Sequence, residues 1–197
     1  AINLLSPQCP AAGSAAATTG GNNACQYLAL AYSNRSHAYF AQQNFNQALS
    51  DADRAVKLNP KLPEARINLA NAQFKRGEHD NALKAYSEAL QLPMSNQLKA
   101  GIFNNRGNVY FAREDARRAI QDYDEALRLR SNYADAYFNR GVARAATNDT
   151  ENAIRDFQTA AQYYTKDGAP ELAKQATSKA QSLQPQTPGR NSPAAPA

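Results

Sequence analysis

Between Tyr27 and Ala38 the apolar positions Tyr27, Leu28, Ala31, Tyr32 and Ala38 fall at helical spacing, which predicts a helix with one buried face. Asn22 or Asn23 is placed to cap it, and it runs to about Ala41. A second helix follows from about Phe45 to Leu58 and ends before Pro60. Gly77 marks the close of the next helix, because glycine adopts positive φ without cost. After Leu92 the register slips. Pro93 and three extra residues intervene, and Ser95 is a cap for a lengthened helix. Pro170 to Leu183 reads as one more amphipathic helix, with proline tolerated in its first turn.

The pattern repeats. Gly107, Ala119, Tyr123 and Ala126 recur 34 residues later as Gly141, Ala153, Phe157 and Ala160. Ala70, Ala82, Tyr86 and Ala89 hold the same places before them, and Ser36, Ala48, Ala52 and Ala55 hold them earlier still. The repeats start at 29, 63, 100 and 134, with spacings of 34, 37 and 34, a period characteristic of helical solenoids. A small residue in each first helix faces a small one in the second, so the two backbones approach closely. Tyr86, Tyr123 and Phe157 fill the space toward the next hairpin, each worth about 1.5–3 kcal/mol on burial. Ala52 lacks that ring, so the first repeat is expected to be held less tightly or to need help from the N-terminal segment.

These residues resemble the tetratricopeptide repeat (TPR) family over Ala29 to Asp167. The third repeat matches best, through Gly107, Tyr110, Ala119, Tyr123 and Ala126. Departures are the lack of any tryptophan, Arg66 in place of an aromatic, and Ser131 and Thr165 in place of a helix-ending proline. The resemblance implies an all-α, right-handed superhelical solenoid of four hairpins (29–62, 63–96, 100–133, 134–167). A capping helix at 168–184 closes it, after a loose arm at 1–28 and before a disordered tail at 185–197.

The family's first helices line a concave surface that binds a partner peptide or helix. Carried over residue by residue, that surface comprises Asn34, Asn68, Asn105 and Asn139, joined by Asn71 and Asn108, with Phe40, Phe74 and Phe111 between them and His37 and Lys75 alongside. Carboxamides both donate and accept hydrogen bonds, which suits the backbone of an extended ligand. The carboxylate clamp of chaperone-binding relatives is not matched: Ile67 stands where a lysine belongs, and Asp135 and Asn139 where further cations would be. No chaperone-tail binding of that kind is expected.

Charge adds a direction. First helices carry nine Lys or Arg against Glu64 and Asp135, whereas second helices sum to −3, so an electropositive inner layer and an acidic partner are expected. Asp51, Asp53, Asp122, Asp124 and Asp156 read as a solvated face of the second helices. The sequence pI near 9.3 comes from dispersed basic residues, so no nucleic-acid partner is expected.

Catalytic signals are absent: two histidines, no Gly-rich phosphate loop, no nucleophile with a base. The chain reads as a non-enzymatic interaction scaffold without metal or cofactor, in envelope or pilus assembly. The alternative is a self-associating subunit forming a homo-oligomer through its outer face or ends.

Cys9 and Cys25, the only cysteines, bracket a stretch rich in Pro, Ala, Gly, Thr and Ser. A disulfide closing that loop is worth about 3 kcal/mol in an oxidising compartment. Together with a first residue that is alanine, this favours a removed signal peptide and a periplasmic or otherwise exported protein. The alternative is two unrelated thiols in the cytoplasm. No stretch is apolar enough to span a membrane.

Overall fold

The structure, a computed structural model, describes residues 19–184, with side chains from Asn23 onward. The described residues form α1 (Thr19–Ala41), α2 (Phe45–Leu58), α3 (Pro63–Lys75), α4 (His79–Leu90), α5 (Asn96–Ala112), α6 (Ala116–Leu129), α7 (Ala134–Ala146), α8 (Thr150–Lys166) and α9 (Pro170–Ser182). Eight of them pair as four antiparallel hairpins and α9 packs on α8. α1 begins earlier than expected. Residues 19–28 of the stretch assigned to a loose arm are helical, and Asn22 and Asn23 lie inside the helix instead of capping it.

Local chemistry sets the other boundaries. The Leu98 N–H donates to Ser95 Oγ at 3.2 Å, which starts α5. Pro63 and Pro170 occupy first turns, where a missing N–H costs nothing. Within each hairpin one residue turns left-handed: Gln43 (φ 59°), Gly77 (79°), Glu114 (62°) and Asn148 (63°). The residue after it donates its N–H to the carbonyl five residues back: Asn44 to Tyr39 at 2.8 Å, Glu78 to Gln73 at 2.9 Å, Asp115 to Tyr110 at 3.0 Å, and Asp149 to Arg144 at 2.9 Å. These bonds satisfy the last carbonyls of each first helix.

Small-residue packing holds the hairpins closed. Ser36, Ala70, Gly107 and Gly141 are buried against second helices whose Ala48, Ala82, Ala119 and Ala153 are wholly enclosed. A Cβ on Gly107 would lie 2.7 Å from Tyr123 Cε1, and one on Gly141 3.0 Å from Phe157 Cε1. In the first hairpin, which has Ala52 in the ring's place, Ser36 Oγ donates to the Ala48 carbonyl at 2.7 Å.

Neighbouring first helices touch: α1 with α3, α3 with α5, α5 with α7. The second helices do not come together to the same extent, so the stack curves with its first helices on the inside. At the C-terminal end Ala173 and Ala176 cover Ala160 and Tyr164, and Ala180 packs with Phe157.

Three aspartates contradict the solvated-face reading. Asp51, Asp122 and Asp156 are buried, at 3%, 5% and 3% exposure. Each is gripped by an arginine of the paired first helix: Arg35 on Asp51, Arg106 on Asp122 (2.8 and 2.7 Å), Arg140 on Asp156 (2.9 and 2.6 Å). The second hairpin has Leu69 and Ala85 in those two places, and they pack in its apolar core. The pair is therefore either wholly ionic or wholly apolar, since a buried carboxylate without its cation is strongly unfavourable. Arg106 also donates to Ser87 at 3.0 Å and Arg140 to Asp124 at 2.5 Å, both on the preceding second helix. Each of these two arginines thus ties three helices together.

Candidate interaction groove

The inner layer is made by α1, α3, α5 and α7, and the asparagines expected there do face one another. All of them but Asn34 bond within the protein itself. Asn68 Nδ2 donates to the Ser33 carbonyl at 2.9 Å and to Ser33 Oγ at 3.1 Å. Asn105 Nδ2 donates to Asn71 Oδ1 at 3.3 Å, and Asn139 Nδ2 to Asn104 Oδ1 at 3.0 Å. These bonds lace each first helix to the one before it.

Asn71 and Asn108 have a further role. Asn71 Oδ1 accepts the Tyr86 hydroxyl, and Asn108 Oδ1 accepts the Tyr123 hydroxyl at 2.7 Å. Burial pushes both phenols well above their ordinary range, an effect the Asn105 amide partly offsets at Tyr86. A buried ring carrying a hydroxyl requires an acceptor, and the asparagines supply it.

The remaining expected residues lie as follows. Asn34 and His37 are exposed on α1, and Lys75 is exposed at the end of α3. Phe40 stands edge-on to Phe45, ring centres 5.4 Å apart, and Phe74 leans on His79 at 5.7 Å. Phe74, Asn108, Phe111 and Asn139 come together with Ala112, Tyr123 and Val142 around a depression of about 370 Å³. Its walls come from three consecutive first helices, so one ligand side chain placed there touches three hairpins. Cys25 lies in the first half of α1, and Cys9 lies outside the described residues.

The inner layer is not the basic surface that composition predicts. All seven of its arginines have a carboxylate within 4 Å: Arg35 with Asp51, Arg66 with Glu88, Arg76 with Glu78, Arg106 with Asp122, Arg113 with Asp80, and Arg140 and Arg144 with Asp156. Pairing at such distances cancels most of the field the cations would project. Among the described residues Lys75 and Lys99 are the first-helix cations without such a partner. The described residues contain no group of three or more His, Cys, Asp and Glu placed to hold a metal ion, and no helix long and apolar enough to cross a membrane.

Comparison with known proteins agrees with this architecture. Residues 34–96 match a family model described as tetratricopeptide repeat, residues 107–148 a TPR repeat model, and residues 135–167 another tetratricopeptide repeat model. Over 74 residues the chain is 43% identical to tetratricopeptide repeat protein 28 of Mus musculus, a match covering 37% of this chain and 3% of that protein. The chain therefore spans only a small part of that relative. MamA superimposes with a TM-score of 0.56 at 19% identity, over 79% of this chain and 91% of its own. The first TPR of Spaghetti (RPAP3), solved bound to the HSP90 peptide SRMEEVD, superimposes with a TM-score of 0.53 at 24% identity, over 61% and 94%. These structures share the fold. With three repeat models matched in tandem and the hairpin geometry they describe, the chain belongs to the tetratricopeptide repeat family.

Proposed function

We propose that this protein is a non-enzymatic scaffold that holds a peptide or helical segment of a partner protein against its inner layer, centred on the depression between Phe74, Phe111 and Val142. The observation that carries this reading is the convergence of three first helices on one partly apolar hollow in a layer rigidified by its own hydrogen bonds. A preorganised surface loses little entropy on binding, which leaves more of the contact energy for affinity. The asparagine lace keeps the hollow in shape, and the ligand's side chains meet Phe74, Phe111, Ala112 and Val142. This deepens the interaction role expected of the family and leaves the pathway, envelope or pilus assembly, as part of the proposal.

Affinity capture from a native extract tests it, comparing wild type with Ala112→Arg. Ala112 is exposed at the end of α5, so an arginine there obstructs the hollow without touching the core. A partner protein captured by wild type and lost with the variant, at unchanged helicity, supports the reading. Identical capture by both sinks it.

A second reading is self-association through the solenoid ends. Its support is that the large exposed apolar side chains, Tyr27, Leu30 and Leu172, lie on the terminal helices α1 and α9. A mass that rises with concentration in sedimentation favours it, and a constant monomer mass removes it.

We also read Cys9 and Cys25 as a disulfide in an exported protein, on their sequence spacing. Thiol titration of the denatured, unreduced chain decides: two free thiols would end both the bond and the export argument.

A further inference from the structure

The hairpin turns interlock along one edge of the stack. Twice, the residue that ends a first helix reaches back to the second residue of the preceding second helix. Arg76 Nη1 donates to Asn46 Oδ1 at 2.8 Å, and Arg113 Nη1 pairs with Asp80. At the third junction the equivalent residues are Thr147 and Arg117. Thr147 Oγ1 turns into its own helix, donating to the Arg144 carbonyl at 3.0 Å. Arg117 is exposed and has no carboxylate within 4 Å among the described residues, although both of its neighbours are engaged. Arg118 pairs with Asp115, whose carboxyl is held below its ordinary range by the Arg118 N–H and guanidinium, and Arg113 is committed to Asp80.

A hollow of about 720 Å³ opens where this interlock is missing, lined by Phe111, Ala116, Arg117, Ala146 and Thr147 together with the 113–115 turn. Arg117 stands in the first turn of α6, where the helix dipole already disfavours a cation and an anion is stabilised. Phe111 lines this hollow and the groove hollow alike, so the two adjoin at that residue.

We propose that Arg117 is a carboxylate-accepting subsite at the edge of the groove, so that the bound segment carries Asp or Glu within about four residues of its apolar anchor, the reach of an extended chain across Phe111. The inference rests on the groove reading. It assigns the preference for an acidic partner to one cation whose position in the repeat register calls for a partner, instead of to the inner layer's net charge, which is internally neutralised.

The test is selection of peptides from a random 12-residue displayed library against the full chain in four forms: wild type, Arg117→Ala, Thr147→Glu and Ala112→Arg. Wild type is expected to enrich an apolar residue followed or preceded at that distance by Asp or Glu. With Arg117→Ala the apolar preference persists and the acidic one falls to background. Thr147→Glu, which supplies the missing carboxylate from within the chain, loses the acidic preference while the arginine remains. Peptides from the wild-type selection bind Arg117→Ala about two- to fivefold more weakly, a difference that fades at high salt. An apolar motif with no acidic preference, or an acidic preference that survives Arg117→Ala, overturns the subsite and leaves the groove standing. Failure of wild type to select any peptide, or selection unaffected by Ala112→Arg, overturns the groove reading and the subsite with it.

Discussion

The Tyr123 hydroxyl donates to Asn108 Oδ1 at 2.7 Å, and one repeat later the same two places hold Phe157 and Val142. The second hairpin has Tyr86 with Asn71, and the first has Ala52 with His37. Hydroxyl and carboxamide are present together or absent together. Asn108→Val should therefore cost about 1–3 kcal/mol by stranding the buried hydroxyl, and Asn108→Val with Tyr123→Phe should recover most of the loss. Urea unfolding of the two single variants and the double measures the coupling. A double variant as unstable as the sum of the singles would deny the pairing.

The buried ion pairs make a parallel case. Arg106→Leu alone should cost about 3–5 kcal/mol, because it leaves Asp122 buried without its cation. Arg106→Leu combined with Asp122→Ala reproduces Leu69 and Ala85, and should lie much closer to wild type in the same assay.

The turns give opposite signs at equivalent places. Gly77→Ala forces a side chain into φ 79° and should destabilise by about 1 kcal/mol, while Gln43→Gly relieves a residue at φ 59° and should stabilise by about 0.5 kcal/mol. Thermal melts of the two variants check both.

Alkaline pH should weaken the fold through Tyr86 and Tyr123. Burial raises both phenols, so the unfolded chain gives up these protons first. The stabilisation is whole below pH about 10 and declines as pH rises toward the folded values, by about 1.4 kcal/mol per pH unit for each group. Tyr123→Phe with Asn108→Val should flatten the decline measured by denaturation at pH 9 to 11.

Much of the fold was legible in the sequence because close packing leaves a periodic mark: small residues at Ser36, Ala70, Gly107 and Gly141, rings at Tyr86, Tyr123 and Phe157, and punctuation at Gly77, Ser95 and Pro170. The buried aspartates were not, since Asp51, Asp122 and Asp156 sit at ordinary helical spacing and their partners lie across the hairpin. Comparing repeats would have exposed them, because arginine and aspartate come and go together. The same comparison singles out Arg117, which composition hides among many cations. The bonds of Asn68, Asn71, Asn105, Asn108 and Asn139 were not legible either, as sequence cannot show which carboxamides are already engaged within the fold.

The matched pairs also bear on how such a chain can change length. Arg with Asp, and Asn with Tyr, are specified between the two helices of one hairpin. Exchanging a lone second helix between the second and third repeats would set Leu69 against Asp122 and Arg106 against Ala85. Whole hairpins carry both halves of each match, so duplication, deletion or grafting should be tolerated in those units and rejected in halves.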